Sequence, residues 1–393
     1  MLVSSVIISA KRTAIGSFQG SLSSLSAPQL GAKVFEGILN DEKLKDILID
    51  EVIMGNVLSA GLGQAPARQA AIYSGLSNKI PCLTINKMCG SGLKAIMLAD
   101  QAIRCKDSEI VLAGGMESMS NAPYLINNFR KGQKIGHSKI VDSMIHDGLW
   151  DSYNNIHMGK CAEMLSSKRN FSRELQDIYA KKSYEKANAA QINNIFAKEI
   201  VPIEIKTRNS EKFVFDYDEE PSKVDFNKFF KLKSVFKKEG TVTAANASSL
   251  SDGAAAILLM NENKAEEKGL KPIAKILAYA SYAHEPEWFT TAPIGAIKLV
   301  LNKTGLTVDD IGIWEINEAF SCVPLAIFDD FKINEDKVNI YGGAVALGHP
   351  IGASGARILS TLLNGMIRKN EKYGLATICI GGGEASAMIV EKI

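Results

Sequence analysis

The feature that most constrains this chain is that it repeats itself. In the first half "DEVIMGNVL" (50 to 58) precedes "NKMCGSGLKAIMLADQAI" (86 to 103) and "SEIVLAGGMES" (108 to 118). In the second half "DIGIWEINEAF" (310 to 320) precedes "GGAVALGHPIGASGARILSTLLNGMI" (342 to 367) and "LATICIGGGEASAMIV" (375 to 390). Each half reads as a strand ending in Asn, a glycine turn opening an apolar helix, and a strand ending in Gly-Gly. The spacings agree: Asn56 to Cys89 is 33 residues and Asn317 to Gly352 is 35, while Gly92 to Gly114 is 22 and Gly355 to Gly381 is 26. An ordered set of matches at similar spacing points to a duplicated supersecondary unit, which chance likeness of apolar strands reproduces poorly.

Two related α/β domains follow. The helix in "LKAIMLADQAI" is apolar on nearly every face and "ILSTLLNGMI" carries no charge, so both are expected to be covered on all sides, between two sheets. "EIVLAGG" and "ATICIGG" are continuous apolar runs, as parallel strands buried on both faces should be. Residues 119 to 250 differ, being richer in Asn, Lys, Asp and Tyr; there "SRELQDIYAKKSYEKANAAQ" predicts a helix with Ser172 as N-cap and a stripe of Leu175, Ile178 and Tyr179. The expected layout is an N-terminal domain over 1–118, completed by about 251–270 where "NASSLSDGAAAILLM" supplies its last strand, an inserted loop domain over 119–250, and a C-terminal domain over 271–393.

At 393 residues the chain exceeds what one core usually supports, and 46% hydrophobic, 22% charged residues with a net charge of +2 suit a soluble globular protein. Nothing calls for nucleic acid, and no run of about 18 apolar residues calls for a membrane. "MLVSSVIISAKRTAIGSF" reads as a first strand, too short for a signal core and lacking the Arg-rich pattern of a transit peptide. The six cysteines show no CxxC pair and the five histidines no HExxH, which predicts free thiols in a reducing, cytoplasmic setting and no structural or catalytic metal of that kind.

Cys89 stands directly before two glycines and a helix. A buried cysteine is often mere filler, yet at a helix N-terminus the peptide dipoles favour the thiolate. If the glycine turns of both halves deliver reactive groups on one side, Cys89 meets Asn317, His349 and Cys379. Each has a plainer reading: Asn317 as a cap for a helix from Glu318, His349 as a turn residue before Pro350, Cys379 as filler. Together they make a machine. His349 can take the Cys89 proton and polarise a thioester oxygen. Cys379 can draw a proton from the carbon beside a thioester carbonyl, with Asn317, through a water, and His349 steadying the enolate. The N–H groups of Cys89 and Gly381 can hold the other oxyanion, the "GGG" of 381 to 383 allowing close approach.

At these residues the sequence resembles the thiolases, specifically the acetyl-CoA acetyltransferases (acetoacetyl-CoA thiolases). The likeness runs through "SAKRTAIGSF", "NKMCGSGLKA", "GGMESMSNAPY", "HMGKCAE", "EGTVTAANASSLSDGAA", "NEAF", "GGAVALGHPIGASGAR" and "CIGGG", nearly the whole chain. It implies the five-layered αβαβα thiolase fold and a homotetramer built of two tight dimers. It also implies Cys89 as acylated nucleophile, His349 as its activator, Cys379 as acid/base, and Asn317 and Gly381 in oxyanion sites. The implied reaction is the reversible condensation of two acetyl-CoA to acetoacetyl-CoA and CoA, by a ping-pong acyl-cysteine route that needs no cofactor beyond CoA as substrate.

Within the family "HMG" (157 to 159) resembles the short-chain branch, implying that His157 and Met158 line the pantetheine and acyl pocket, with Ser248, Phe289 and Phe320. "DEEPSKVDFNKFFKLKSVF" resembles the mitochondrial branch, and the likeness implies CoA contacts at Tyr184, Lys223, Val224, Asp225 and Lys228, lysines serving phosphate as point charges. In that branch Tyr184, Ala244, Ala245, Ala247 and Val345 correspond to a potassium site. The chain departs from bacterial biosynthetic members by Phe289, where Met is usual, and by lacking an Arg near Pro221 for the nucleotide. A broader 3-ketoacyl-CoA thiolase taking longer or 2-methyl-branched substrates is the nearest alternative. A non-catalytic lipid-binding relative would have lost a reactive group, a ketoacyl synthase would carry Cys-His-His, and a dehydrogenase needs a GxGxxG that "GHPIGASGA" lacks.

Overall fold

The computed structural model describes residues 4–206 and 211–393. Nine strands make the main path of one mixed sheet: β1 (Ser5–Thr13), β2 (Glu51–Gly55), β3 (Cys82–Ile85), β4 (Ile110–Ser118), β5 (Ser251–Asn261), β6 (Ala274–Ala283), β7 (Ile313–Ile316), β8 (Tyr373–Ile380) and β9 (Glu384–Lys392). Their spatial order is β7-β8-β9-β6-β1-β5-β4-β2-β3. The helices that matter here are α1 (Ala27–Leu39), α2 (Pro66–Tyr73), α3 (Ser91–Cys105), α4 (Met158–Arg169), α5 (Arg173–Ile192), α6 (Ala292–Thr304), α7 (Cys322–Phe331) and α8 (Ser354–Lys369).

The duplication is written in the strand pairing. In the first half β1, β5 and β4 pair antiparallel in turn, then β4, β2 and β3 pair parallel. In the second half β6, β9 and β8 repeat the antiparallel series and β8 pairs parallel with β7. A parallel bridge from Trp314 to Val338 takes the place of β3. Both first strands even carry a register shift at the same point, Ile7/Ser9 and Ile276/Ala278.

Side-chain alternation along each strand explains the layers. In β2, Val52 and Met54 face an outer core with Leu30 and Phe35 of α1, while Ile53 faces a middle core with Leu93 and Ile96 of α3. In β8, Ala376 and Ile378 face that same middle core with Ile358 and Leu362 of α8, while Leu375 and Cys379 face a third core with Ile297 of α6 and Val323 of α7. The sequence α1/α2, sheet, α3/α8, sheet, α6/α7 is the expected αβαβα arrangement. The two central helices touch through glycine: a Cβ on Gly92 would lie 2.9 Å from the Ala356 N, and one on Gly355 would lie 2.4 Å from the Leu93 N.

Several expectations need correcting. The two sheets are joined, through β1 and β6 at Val6–Lys275 and Ile7–Ala274. The apolar strands β4 and β8 are buried on both faces, but each has only one parallel neighbour, the other being antiparallel. Their Gly-Gly pairs are not equivalent either: pairing sets Gly55 beside Gly115 and Ile316 beside Thr377, so Gly114–Gly115 lie mid-strand while Gly381–Gly382 lie beyond β8. Ser172 does cap α5, accepting the Leu175 N–H at 3.0 Å, but Leu175 and Ile178 are exposed and the buried face is Gln176, Ala180, Ser183, Tyr184 and Ala187. That face mixes Ala180, Tyr184 and Ala187, which join the outer core, with Gln176 and Ser183, which find polar partners, and the mixture is why hydrophobicity misplaced it. Asn317 caps nothing; the next helix, α7, begins at Cys322 with Ser321 as its N-cap.

Residues between β4 and β5 are anchored to the first half by charge. Buried Arg12 on β1 meets Glu199 at 2.6 Å and Asp218 at 2.7 Å. Two carboxylates of that segment thus neutralise one guanidinium, the condition for burying it without heavy cost.

Candidate active site

Cys89 sits on the turn from β3 into α3. Met88 before it is left-handed, φ 47°, a conformation a side-chain-bearing residue holds at a cost of order 1–3 kcal/mol. The turn is pinned by Ser91, whose hydroxyl donates to the Met88 carbonyl at 2.6 Å and accepts the Lys87 N–H at 2.8 Å. Gly90 presses on the second half: a Cβ there would come within 2.3 Å of Ile380 Cδ1, the side chain next to Cys379.

The thiol departs from expectation. Burial pushes Cys89 up to about 11, against the N–H groups of Gly381 and of Cys89 itself, which favour the thiolate. The helix N-terminus is there, but desolvation outweighs it, so the resting group is a thiol that must be deprotonated on demand. Cys379, near the end of β8, is buried, whereas Cys89 keeps part of its surface open. Burial comes first in raising it well above the usual thiol range, and the charges of Cys89 and Cys322 add to that. The two sulfurs therefore come from opposite halves to within electrostatic reach of each other.

Backbone contacts bring the remaining groups to this point. The Ala319 N–H reaches Cys379, and the Ala319 carbonyl accepts from the N–H and the hydroxyl of Ser248, each at 3.0 Å. Next along, the Ser249 carbonyl accepts the His349 N–H at 3.2 Å. His349 is buried, with Nδ1 2.6 Å from the Ser354 hydroxyl. That hydroxyl donates to the Pro350 carbonyl at 2.9 Å, so it must accept from Nδ1–H. The proton is thereby fixed on Nδ1 and Nε2 is left as a bare lone pair, with no partner among the described residues. Burial, then the Arg357 charge, hold the ring down at about 3, neutral near pH 7.

Asn317 is fully buried, and neither its Nδ2 nor its Oδ1 has a partner among the described residues. A buried amide left so costs about 1–3 kcal/mol, a cost that a bound molecule would remove.

Next to these groups lies an aromatic wall. His157 accepts the Gly159 N–H on Nδ1 at 3.0 Å and stacks on Phe236 with centroids 4.7 Å apart; Phe320 meets Phe236 at 6.2 Å and Phe289 at 6.4 Å. Met158 faces Gly381, where a Cβ would lie 3.3 Å from its Cε. A cleft of about 630 Å³ adjoins Phe236 and is lined by Lys160, Met164, Lys237 and Trp288, among others. Sequence reasoning missed Phe236, Lys160 and Lys237, although the basic run "KLKSVFKK" contained the first and last of them. It also missed Ser354, whose only signal was its place at the start of a helix shortly after His349.

The other expected residues are placed differently. Lys223 hydrogen-bonds Ser17 and lies 3.8 Å from Glu220, while Lys228 is paired with Asp225 at 3.3 Å; both lysines and Asp225 are exposed, and Val224 packs on the outer first-half core. None of the four lines the cleft beside Phe236. Tyr184, Ala245 and Val345 share one buried core, whereas Ala244 is exposed and Ala247 bridges to Phe320.

A duplicated αβαβα chain that brings two cysteines, a neutral histidine and an open amide to the seam between its halves has the build of an acyl-transferring thiol enzyme. Residues 5–263 match the thiolase N-terminal domain and residues 270–392 the thiolase C-terminal domain. The chain belongs to the thiolase family. It is 50% identical to an acetyl-CoA acetyltransferase of Pseudomonas aeruginosa over 98% of this chain and 99% of that one. With the human mitochondrial acetyl-CoA acetyltransferase it shares 49% over 99% and 90% of the two chains. Among solved structures, an Ascaris suum thiolase in complex with coenzyme A superposes with a TM-score of 0.94 at 45% identity, covering 99% of this chain and 100% of that one. Human mitochondrial 3-ketoacyl-CoA thiolase superposes at 0.96 with 37% identity, over 100% and 99%.

Proposed function

We propose that the protein is an acetyl-CoA acetyltransferase that joins two acetyl-CoA into acetoacetyl-CoA and CoA, and runs the same steps backwards in thiolysis. The observation that supports this is the approach of Cys89 and Cys379, together with a histidine nitrogen and an asparagine amide that have no partner among the described residues. Relatives near 50% identity that bear this name support the substrate class.

His349 Nε2 takes the Cys89 proton, and the thiolate attacks the thioester carbonyl of the first acetyl-CoA. The Cys89 and Gly381 N–H groups steady the oxyanion as the C–S bond to CoA breaks. Cys379 gives its proton to the departing CoA sulfur. The Cys379 thiolate then takes a methyl proton from the second acetyl-CoA, and the enolate oxygen is held by His349 Nε2–H and, through a water, by Asn317. The enolate carbon attacks the acyl group, the bond to Cys89 breaks, and His349 returns its proton to that sulfur. A thiol base raised by burial suits this task, because proton transfer from carbon is easiest to a base of comparable strength.

In this reading His157, Met158, Ser248, Phe289 and Phe320 enclose the pantetheine arm and acyl group, and 119–250 acts as an inserted domain covering the CoA. Lys223, Val224, Asp225 and Lys228 meet its outer part. A potassium ion at Tyr184, Ala244, Ala245, Ala247 and Val345 belongs to the same reading; the Tyr184 hydroxyl is raised first by burial and then by the carboxylates of Glu220 and Glu318, whose field favours a cation. The assembly is a homotetramer, for which the edge of β3, unpaired among the described residues, and the exposed Tyr124 and Ile140 of a separate hairpin offer surfaces. Six free thiols suit the cytoplasm.

The test compares thiolysis of acetoacetyl-CoA, 2-methylacetoacetyl-CoA and a six-carbon 3-ketoacyl-CoA, with and without K⁺. Acetoacetyl-CoA should turn over fastest; a faster six-carbon substrate would overturn the assignment.

A further inference from the structure

Glu117, near the end of β4, is fully buried and pairs with no Lys, Arg or His among the described residues. Its carboxylate instead gathers four N–H donors. Oε1 accepts from Asn56 Nδ2 at 2.8 Å and the Leu58 N–H at 3.1 Å; Oε2 accepts from the Val57 N–H at 3.0 Å and the Gly352 N–H at 2.9 Å. Three of the donors belong to the loop after β2. The fourth belongs to the other half of the molecule, on the turn His349-Pro350-Ile351-Gly352 that leads into α8.

The duplication says what this place is. Gly115 and Thr377 occupy the same pairing position in the two halves, so Glu117 stands where the other half carries Cys379. Asn56 and Asn317 follow the equivalent strands β2 and β7. The helices cross at Gly92 and Gly355, so Gly352, three residues before the second, stands where the first half carries Cys89. One copy of the site has a thiol and an Asn amide without a partner among the described residues. In the other the Asn amide donates to Glu117 and the Met116 carbonyl, and the thiol's place is filled by an N–H gripped by a carboxylate.

Burial raises Glu117 to about 7, and the converging N–H donors work against that by favouring the ionised carboxylate. Close approach of the gripped turn is built in, since a Cβ on Gly115 would lie 2.0 Å from the Gly352 carbonyl.

We propose that Glu117 is a positioning residue for the reaction: by gripping the Gly352 N–H from the opposite half, it holds the turn that sets His349 Nε2 against Cys89. This rests on the thiolase reading above and adds a residue to it. Because a misplacement of about 1 Å in a catalytic base can cost about a hundredfold in rate, a residue that never touches substrate can govern turnover.

The test uses the full-length protein with Glu117→Gln, in which one donor-acceptor contact becomes a donor-donor clash, and Asn56→Ala, which removes one of the two Oε1 donors together with the bond to the Met116 carbonyl. Three quantities are read: kcat and KM for acetoacetyl-CoA thiolysis, the rate of Cys89 alkylation by iodoacetamide at pH 8, and the thermal midpoint. Glu117→Gln should lower kcat by roughly tenfold or more and slow alkylation in step, with KM within about threefold of wild type. Asn56→Ala should move the same quantities in the same direction by less, so a Glu117→Gln protein that fails to fold leaves a working probe. A kcat within about twofold of wild type in the folded variants, or a fall in kcat with alkylation unchanged, overturns the positioning role. An inactive wild-type protein would instead count against the thiolase reading itself.

Discussion

Lys87 and Glu384 form an ion pair that joins the turn carrying Cys89 to the turn that follows Gly381. Each belongs to a different half, and each side chain is partly open to water. Such a pair adds at most about 1 kcal/mol to stability. Its value would lie in setting the two oxyanion N–H groups at a fixed separation. Glu384→Gln should lower kcat a few-fold while leaving the thermal midpoint nearly unchanged, and raising KCl should depress wild-type kcat toward the variant's. Equal salt dependence in the two proteins would count against it.

The Ser354 hydroxyl decides which histidine nitrogen carries the proton. Ser354→Ala removes the acceptor for Nδ1–H and allows the tautomer in which Nε2 no longer accepts. We expect kcat and Cys89 alkylation to fall together by roughly tenfold, within the range for a misdirected general base. Steady-state kinetics alongside iodoacetamide inactivation would check this.

The shifted groups predict two pH responses of opposite sense. Cys89 is raised to about 11, so alkylation should climb with pH without levelling near 8 or 9, by about tenfold per unit while the thiol predominates. Because its folded value lies above the unfolded one, its stabilising share is complete below about 9 and is lost as pH rises through 11. His349 is lowered to about 3 from 6.5, so its share is present above 6.5 and is lost as pH falls toward 3. Thermal midpoints across that acid window, in wild type and His349→Ala, should converge as pH drops.

The roles of the two cysteines separate in a mass spectrum. Incubated with acetyl-CoA, Cys89→Ala should gain no acetyl group, whereas Cys379→Ala should be acetylated yet fail to form acetoacetyl-CoA. Normal condensation by the second variant would remove Cys379 from the mechanism.

Asn317 offers a test in which activity and stability part company. Its amide is buried without a partner among the described residues, so Asn317→Leu, similar in volume and apolar, should abolish condensation while leaving the thermal midpoint level or higher. A large loss of stability would mean the amide has a structural partner.

Much of this could be read in the sequence because duplication and glycine leave marks that do not depend on distant contacts. The order strand, glycine turn, apolar helix, strand located Cys89, Asn317 and Cys379, and two-sided burial explains why β4 and β8 carried no alternation. Direction was not legible: an apolar run buried on both faces looks the same whether its neighbour is parallel or antiparallel. Nor was the buried face of α5, where Gln176, Asp177 and Ser183 turn inward to polar partners such as Asn246 and Glu318. The acidity of Cys89 failed for a related reason. A helix start is visible in a sequence, but the desolvation that overrides it comes from residues far along the chain. Glu117 was hidden likewise, its four donors lying in loops that meet only when both halves are folded.

The close glycine contact between α3 and α8 has a consequence for how such a molecule can vary. With Gly92 and Gly355 backed against each other's main chain, the two halves are locked at one crossing and cannot drift apart to admit bulkier residues. Innovation is thereby pushed outward, to loops and lids, while the machinery at the centre stays fixed.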